Sequence, residues 1–159
     1  MVDRRLHEPL VAPGRVTATF TKPEVAALVA QWLEVFGLDR FGVNTRAYLW
    51  HVFSNERYPN VSGEAAQAAY DQQQAPGYIV LSNDRDLAFT TDQRPVRAML
   101  RDYQVFPPNL AWTMSFTHED GWLGPYFAKH PQYDTLNAAN LAKLQKARDI
   151  EAARRKGWL

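Results

Sequence analysis

The sequence predicts an α+β fold in which helices pack on one antiparallel sheet of about five strands. Apolar residues recur at helical spacing in several separate stretches, and short runs rich in β-branched and aromatic residues lie between them. Most of these runs are joined by short turns instead of crossover helices, which is typical of antiparallel neighbours. A chain of 159 residues, 46% of them apolar, is long enough to bury one such core without disulfides or metals.

The helices are predicted from apolar stripes and from residues that start or stop a helix. Thr21 is a natural N-cap with Glu24 as its capping-box partner, and Gly37 follows the last apolar position of that stripe. The last helix has only a narrow stripe, so we expect it to pack loosely on the body or against a partner. The predicted helices span residues 21–36, 62–73, 96–103 and 134–155.

The strands are predicted from alternation and from composition. Residues 46–54 have apolar side chains on both faces, which favours a strand inside the sheet that is covered on both sides. Residues 110–118 alternate cleanly and return through an Asp-Gly turn to a strand over 123–128. Pro125 favours an edge position or a strand start for that return. A further hairpin is predicted from residues 78–82 and 86–90.

The chain is predicted to hold one domain, residues 16–133, between an N-terminal arm over 1–15 and a basic C-terminal helix over 134–159. The absence of cysteine excludes a disulfide scaffold, a thiolate metal site and a cysteine nucleophile. No stretch has the apolar character of a signal peptide or a membrane span. We therefore expect a cytoplasmic location without membrane association.

Charge is divided unevenly along the chain. Residues 1–142 contain 12 Lys and Arg against 15 Asp and Glu, whereas residues 143–159 contain six basic residues against two acidic ones. A body of net charge −3 argues against nucleic-acid binding, which needs concentrated positive charge. The basic end favours a solvated helix end, whose cations suit the C-terminal dipole, over a contact with an acidic partner. No phosphate-binding glycine loop or catalytic motif occurs, and we predict no cofactor.

Two histidines are the candidates for chemistry. His118 and Glu119 lie where a predicted strand enters a turn, where His118 would be a general base or metal ligand, or both would be polar turn residues. His51 lies on a face expected to be buried, and is either a hydrogen-bonded core histidine or a site residue. If the two predicted strands are neighbours, His51 and His118 would converge, and Glu56 or Glu119 would complete an open metal site.

Large aromatic residues fill cores and also anchor interfaces. Trp122 lies in the predicted turn, where burial is hardest, and is the best candidate for an exposed anchor. Tyr126 is a second candidate contact residue. Glu56 and Arg57, at the end of a predicted strand, would supply polar contacts to a partner.

Two stretches taken together resemble a family of small bacterial single-domain proteins whose function is not established. They are LWHVFS at 49–54, and WT at 112–113 continuing through THE at 117–119 to GPYF at 124–127. The resemblance runs from about residue 20 to residue 130 and implies a compact cytoplasmic α+β protein. It supplies no reaction and no cofactor, and carries over His51, His118 and Glu119 only as positions of a site.

The leading hypothesis is a non-enzymatic binding protein, an immunity-type inhibitor or accessory regulator that acts by protein–protein contact. It rests on the single small domain, on the absence of a nucleophile–base motif and on an acidic, aromatic-rich body that suits a basic partner. The alternative is a small hydrolase or metal-dependent enzyme that uses His51, His118 and Glu119. Nucleic-acid binding through the C-terminal helix is a third hypothesis, which the acidic body fits least.

Overall fold

The computed structural model describes residues 10–37, 48–56, 58–118 and 123–158. Within these residues the helices are α1 (Lys22–Phe36), α2 (Gly63–Asp71), α3 (Tyr133–Arg155) and a 3₁₀ helix (Leu49–Glu56). The strands are β1 (Val11–Ala12), β2 (Val16–Thr19), β3 (Val61–Ser62), β4 (Tyr78–Ser82), β5 (Ala88–Thr91), β6 (Arg97–Ala98), β7 (Tyr103–Phe106), β8 (Trp112–Phe116) and β9 (Tyr126–Lys129).

Seven of the described strands form one antiparallel sheet, in the order β2-β5-β4-β7-β8-β9-β3. The short strands β1 and β6 pair with each other in a separate ribbon. The predicted α+β class and antiparallel sheet are therefore confirmed, with seven strands where about five were expected. The edge strand β3 has two residues and β2 is largely exposed, so neither has the apolar alternation that predicts a strand.

Several predicted elements lie where the sequence places them. The capping box of α1 is formed: Glu24 N–H donates to the Thr21 hydroxyl at 3.4 Å, and Thr21 N–H donates to the Glu24 carboxylate at 2.8 Å. Helix α2, the β4–β5 hairpin, the β8–β9 pair and α3 also match their predicted ranges to within a few residues. Pro125 immediately precedes β9, so it marks a strand start and not an edge.

The interior strand predicted for residues 46–54 is wrong, because Leu49–Glu56 form the 3₁₀ helix; residues 46–47 lie outside the described residues. A short run that is apolar on both faces does not distinguish a strand from a buried helical turn. The Leu49 N–H donates to the Asn83 side-chain oxygen at 2.8 Å, so a side chain takes the place of a strand partner there.

The short helix predicted for residues 96–103 is also wrong, because this segment forms β6 and the approach to β7. Val96 and Met99, two of the four residues of the predicted apolar stripe, are 70% and 54% exposed, whereas Tyr103, another of the four, is buried on β7. The N–H groups of Val96 and Met99 donate to the carbonyls of Ala12 and Leu10, both at 2.8 Å. Residues 10–12, predicted as part of an arm, thus pair with this segment, and these non-local hydrogen bonds override the local helical pattern.

Apolar cores lie on both faces of the sheet. Helix α1 and the 3₁₀ helix cover one face, where the rings of Trp32 and Phe53 meet edge to face. The Trp32 indole N–H also donates to the Thr113 hydroxyl at 2.9 Å and so ties α1 to the centre of the sheet. Helix α2 and the start of α3 cover the other face, around Tyr70 and Trp112.

Helix α3 is mostly exposed, in agreement with its narrow apolar stripe. Among its 23 residues only Asn140 is buried. Asn109 holds the first turns of the helix, since its amide donates to the Leu136 carbonyl at 3.0 Å and accepts from Asn140 at 3.2 Å. Neither α3 nor any other helix in the described part of the chain is long and apolar enough to cross a membrane.

Candidate functional site

The Asp102 carboxylate organises a polar cluster at one end of the sheet. Asp102 precedes β7 and His118 follows β8, and these strands are antiparallel neighbours with Tyr103 opposite Phe116. Asp102 Oδ1 accepts from the His118 backbone N–H at 3.1 Å and from His118 Nδ1 at 2.7 Å. Its Oδ2 accepts from Trp50 Nε1 at 2.8 Å. Because a carboxylate only accepts hydrogen bonds, His118 carries its hydrogen on Nδ1.

Burial makes this contact strong. The Asp102 side chain is 4% exposed and the His118 side chain 18% exposed, so the carboxylate is shielded while one side of the imidazole reaches solvent. A buried carboxylate is tolerated only when hydrogen bonds replace its lost hydration, and the contacts with Trp50 and His118 provide them. The cluster therefore fixes both the position and the ring orientation of His118.

Tyr48 brings the second candidate histidine into the same cluster. Its ring centre lies 5.3 Å from that of His51 and 5.4 Å from that of His118. The two histidines therefore share a neighbour, but they come together through the start of the 3₁₀ helix and not through paired strands. His51 is half-buried and its ring meets the Trp50 indole edge-on, whereas a place inside the sheet was expected.

The predicted metal site is not assembled by the described residues. Among them, no group of three His, Asp or Glu side chains is arranged to hold a metal ion. The two carboxylates that were expected to complete the site, Glu119 and the side chain of Glu56, lie outside what the structure describes.

A small cavity of about 180 Å³ adjoins the cluster. Tyr48, Asn83, Asp102 and Arg101 are among its lining residues. Asn83 is held by two hydrogen bonds. Its side-chain oxygen accepts from the Leu49 backbone N–H, and its backbone N–H donates to the Asp102 backbone carbonyl at 3.0 Å. At roughly 30 Å³ per water molecule, the cavity admits only a small polar group.

Larger depressions lie away from the cluster. One of about 660 Å³ is formed by residues 129–135 at the start of α3, and one of about 450 Å³ lies between α2 and β9. The first is lined by consecutive residues of one turn, and the second is mostly apolar. Neither is lined by Asp102 or Tyr48, whereas the smaller cavity is lined by both, although not by His118. We therefore place the candidate site at the cluster beside the smaller cavity.

The candidate partner-contact residues are placed as follows. Tyr126 is buried, 7% exposed, and its ring stacks on Trp50 at 5.8 Å. Tyr126 is therefore a core residue in this structure, and its use as a partner contact stays a prediction. Trp122 and Arg57 lie outside the described residues, as does the side chain of Glu56.

Sequence reasoning missed Asp102, the centre of the cluster. Its two partners are 52 and 16 residues away along the chain, and it lies in a segment predicted as a helix. An isolated acid just before a short strand gives no local signal. Only the correct pairing of β7 with β8 would have placed it beside His118.

The sequence profile of a family described as "Domain of unknown function (DUF4275)" matches residues 34–127. The chain belongs to this family. The match includes the 3₁₀ helix, Asp102 and His118, and leaves out α3. It agrees with the expected membership of an uncharacterised family. No curated protein and no solved structure matches the chain.

Proposed function

We propose that this protein is a small hydrolytic enzyme in which His118 is the general base and Asp102 holds its ring. The observation that carries the proposal is the 2.7 Å contact between His118 Nδ1 and a carboxylate that is 4% exposed. A carboxylate in this position fixes the tautomer of the imidazole and stabilises the imidazolium that forms when the ring takes up a proton. The part-exposed ring keeps contact with the surface.

The chemistry assigned to the site is water-dependent cleavage of a small polar ester. His118 Nε2, the second ring nitrogen, takes a proton from water while the water oxygen bonds to the ester carbonyl carbon. The imidazolium then returns the proton to the departing alcohol as the ester C–O bond breaks. The acyl group of the ester is assigned to the cavity of about 180 Å³ that Asp102 and Tyr48 line, which has room for only a few heavy atoms.

The two sequence motifs bring the site together in this proposal. LWHVFS supplies Trp50 and His51, and the THE motif supplies His118. Trp50 and His118 bind the two oxygens of the same Asp102 carboxylate, which gives both motifs a shared role. A location in the cytoplasm belongs to the proposal as well.

The test is hydrolysis of p-nitrophenyl acetate, p-nitrophenyl butyrate and p-nitrophenyl phosphate. The rate is measured from the absorbance of the p-nitrophenolate that is released. We expect His118→Ala to lower kcat/KM by about 10²–10⁴-fold, the usual contribution of a general base. His130→Ala is the matched control, because His130 is a part-buried histidine at the start of α3 and outside the cluster. A His118→Ala rate equal to the control rate, or no turnover of any of the three by the unmodified protein, contradicts the proposal.

A second candidate function is protein binding through α3, as an immunity-type inhibitor or an accessory regulator. Leu141, Ile150 and Trp158 are exposed to 46%, 38% and 71%. Six basic residues lie in residues 143–159, which include Ile150 and Trp158 and begin two residues after Leu141. Apolar groups surrounded by cations complement a protein surface that is apolar and acidic.

The test for this second function is capture by the tagged protein from its native host at moderate salt, followed by mass spectrometry. We expect the unmodified protein to capture one partner protein in stoichiometric amount. The double variant Arg154→Glu, Arg155→Glu should no longer capture it. Lys22→Glu, at an exposed basic residue on α1, is the matched control and should retain it. Retention of the same protein by the double variant, or no stoichiometric protein at all, contradicts protein binding through α3.

A further inference from the structure

Two fully buried polar side chains lie in the same layer as Asp102 without a hydrogen-bond partner among the described residues. Gln104 on β7 and Ser115 on β8 are both 0% exposed. Within the part of the chain that the structure describes, neither polar atom of the Gln104 amide has a hydrogen-bond partner, and neither does the Ser115 hydroxyl. Buried polar groups are rarely left in this state, because burial removes their hydration without replacing it.

Gln104 and Ser115 are direct neighbours. They are Cα partners across β7 and β8, so their side chains leave the same face of the sheet with Cβ atoms about 5 Å apart. That face is the one covered by α1 and the 3₁₀ helix, because Thr113, two residues before Ser115, binds the Trp32 indole of α1. The three unbonded atoms therefore belong to one place in the core.

The Trp50 indole spans this place. Its Nε1 donates to Asp102, which lies two residues before Gln104. Its ring stacks on Tyr126, the Cα partner of Ser115 on β9. The indole thus reaches from the β7 side to β9, across the strand that carries Ser115. Trp50 itself is 2% exposed and belongs to the apolar core on this face of the sheet.

We propose that Gln104 and Ser115 form an internal binding site for water beneath the Trp50 indole. The Gln104 amide supplies a donor and an acceptor, and the Ser115 hydroxyl supplies both. An internal water molecule typically binds two to four such groups. Water bound there satisfies both side chains and extends the polar network that begins at Asp102. The proposal is independent of the hydrolytic function and of protein binding.

Thermal unfolding of Gln104→Met, Ser115→Ala and the double variant tests whether water joins the two groups. Each single change leaves the other group unbonded, so we expect each to lower Tm by about 2–4 °C. The double variant should lose less than the sum of the two, because the second change removes the group that the first one leaves unbonded. Single variants that raise Tm, or losses that simply add, overturn the proposal.

Thr91→Val is the matched control for these variants. Thr91 is 1% exposed, and its hydroxyl also has no partner among the described residues. It lies on β5, and we assign no water site to it. We expect an unchanged or higher Tm for Thr91→Val, in contrast to Ser115→Ala. A Tm loss for Thr91→Val equal to that for Ser115→Ala counts against a site specific to Gln104 and Ser115.

The water itself is detected by oxygen-17 magnetic relaxation dispersion, which counts long-lived internal water molecules in solution. We expect the unmodified full chain to hold at least one more long-lived internal water molecule than the double variant Gln104→Met, Ser115→Ala. Should the double variant fail to fold, a high-resolution crystal structure of the unmodified protein decides. Density within about 2.7–3.2 Å of both side chains supports the site. An equal count, or Gln104 and Ser115 bonded to each other with no water between them, overturns it.

Discussion

Replacement of Asp102 by asparagine should weaken the fold measurably, because two different elements depend on its two oxygens. Asparagine keeps one oxygen and the side-chain volume, but its NH₂ group must face either Trp50 Nε1–H or the two N–H groups of His118. The asparagine orientation that loses fewer hydrogen bonds keeps both bonds to His118 and leaves the Trp50 indole N–H without an acceptor. Trp50 is 2% exposed, so water does not replace that bond. An unbonded buried donor costs about 1–3 kcal/mol. For a domain of this size, a loss of about 2 kcal/mol corresponds to about 4–8 °C in Tm.

Differential scanning calorimetry of Asp102→Asn beside Asp92→Asn measures this loss. Asp92 is the matched control, because its side chain is 42% exposed and binds Arg15 at the surface. Exposed pairs of this kind contribute about 0–1 kcal/mol. Hydrogen exchange measured by NMR would locate the effect. In Asp102→Asn, the indole N–H of Trp50 should exchange with solvent faster than in the unmodified protein. Equal Tm values for the two variants would refute the claim that Asp102 holds Trp50 and His118 together.

Two further predictions concern alkaline stability and the turn beside the cluster. Burial raises the pKa of Tyr103 to about 12 and raises the pKa of Tyr70 as well, whereas an unfolded tyrosine ionises near 10. The stability that Tyr103 confers is complete below about pH 10 and is lost at about 1.4 kcal/mol per pH unit between about pH 10 and 12, while the loss from Tyr70 continues above that range. An unfolding free energy that stays flat over pH 10–12 in urea titrations contradicts this. Gly124→Ala should cost about 1–3 kcal/mol, because φ is +95° and a Cβ atom would lie 3.0 Å from the Thr117 side chain. Gly63→Ala, with φ +62° and open space, is the control, and an equal Tm loss in both would show that the Thr117 contact is unimportant.

Local signals in the sequence account for the elements that were predicted correctly. The α1 cap needs only Thr21 and Glu24, three residues apart, and the strand over 112–116 is recognised from the alternation of large apolar and small polar side chains, although both of its faces are buried. Such patterns are complete within a few residues. Propensity and periodicity therefore suffice for them.

The wrong predictions share a physical cause, which is dependence on distant partners. Leu49 is held by Asn83, and Val96 by Ala12, so neither backbone follows its local pattern. The proximity of His51 and His118 was predictable in part, since both rings contact Tyr48, and their role in a site stays a prediction. The Asp102 carboxylate, which organises the cluster, was not predictable, because the position of Asp102 beside His118 depends on the pairing of β7 with β8.

The effect of Asp102→Asn on ester hydrolysis tests the proposed unit of Asp102 and His118 most directly. The measurement is kcat and KM at 25 °C, on the p-nitrophenyl ester that the unmodified protein hydrolyses fastest, with circular dichroism showing that the variant is folded. Loss of the carboxylate charge removes stabilisation of the imidazolium, so we expect kcat to fall at least about tenfold with little change in KM. An unchanged kcat in the folded variant would contradict the assignment of Asp102 as the group that holds His118 for catalysis.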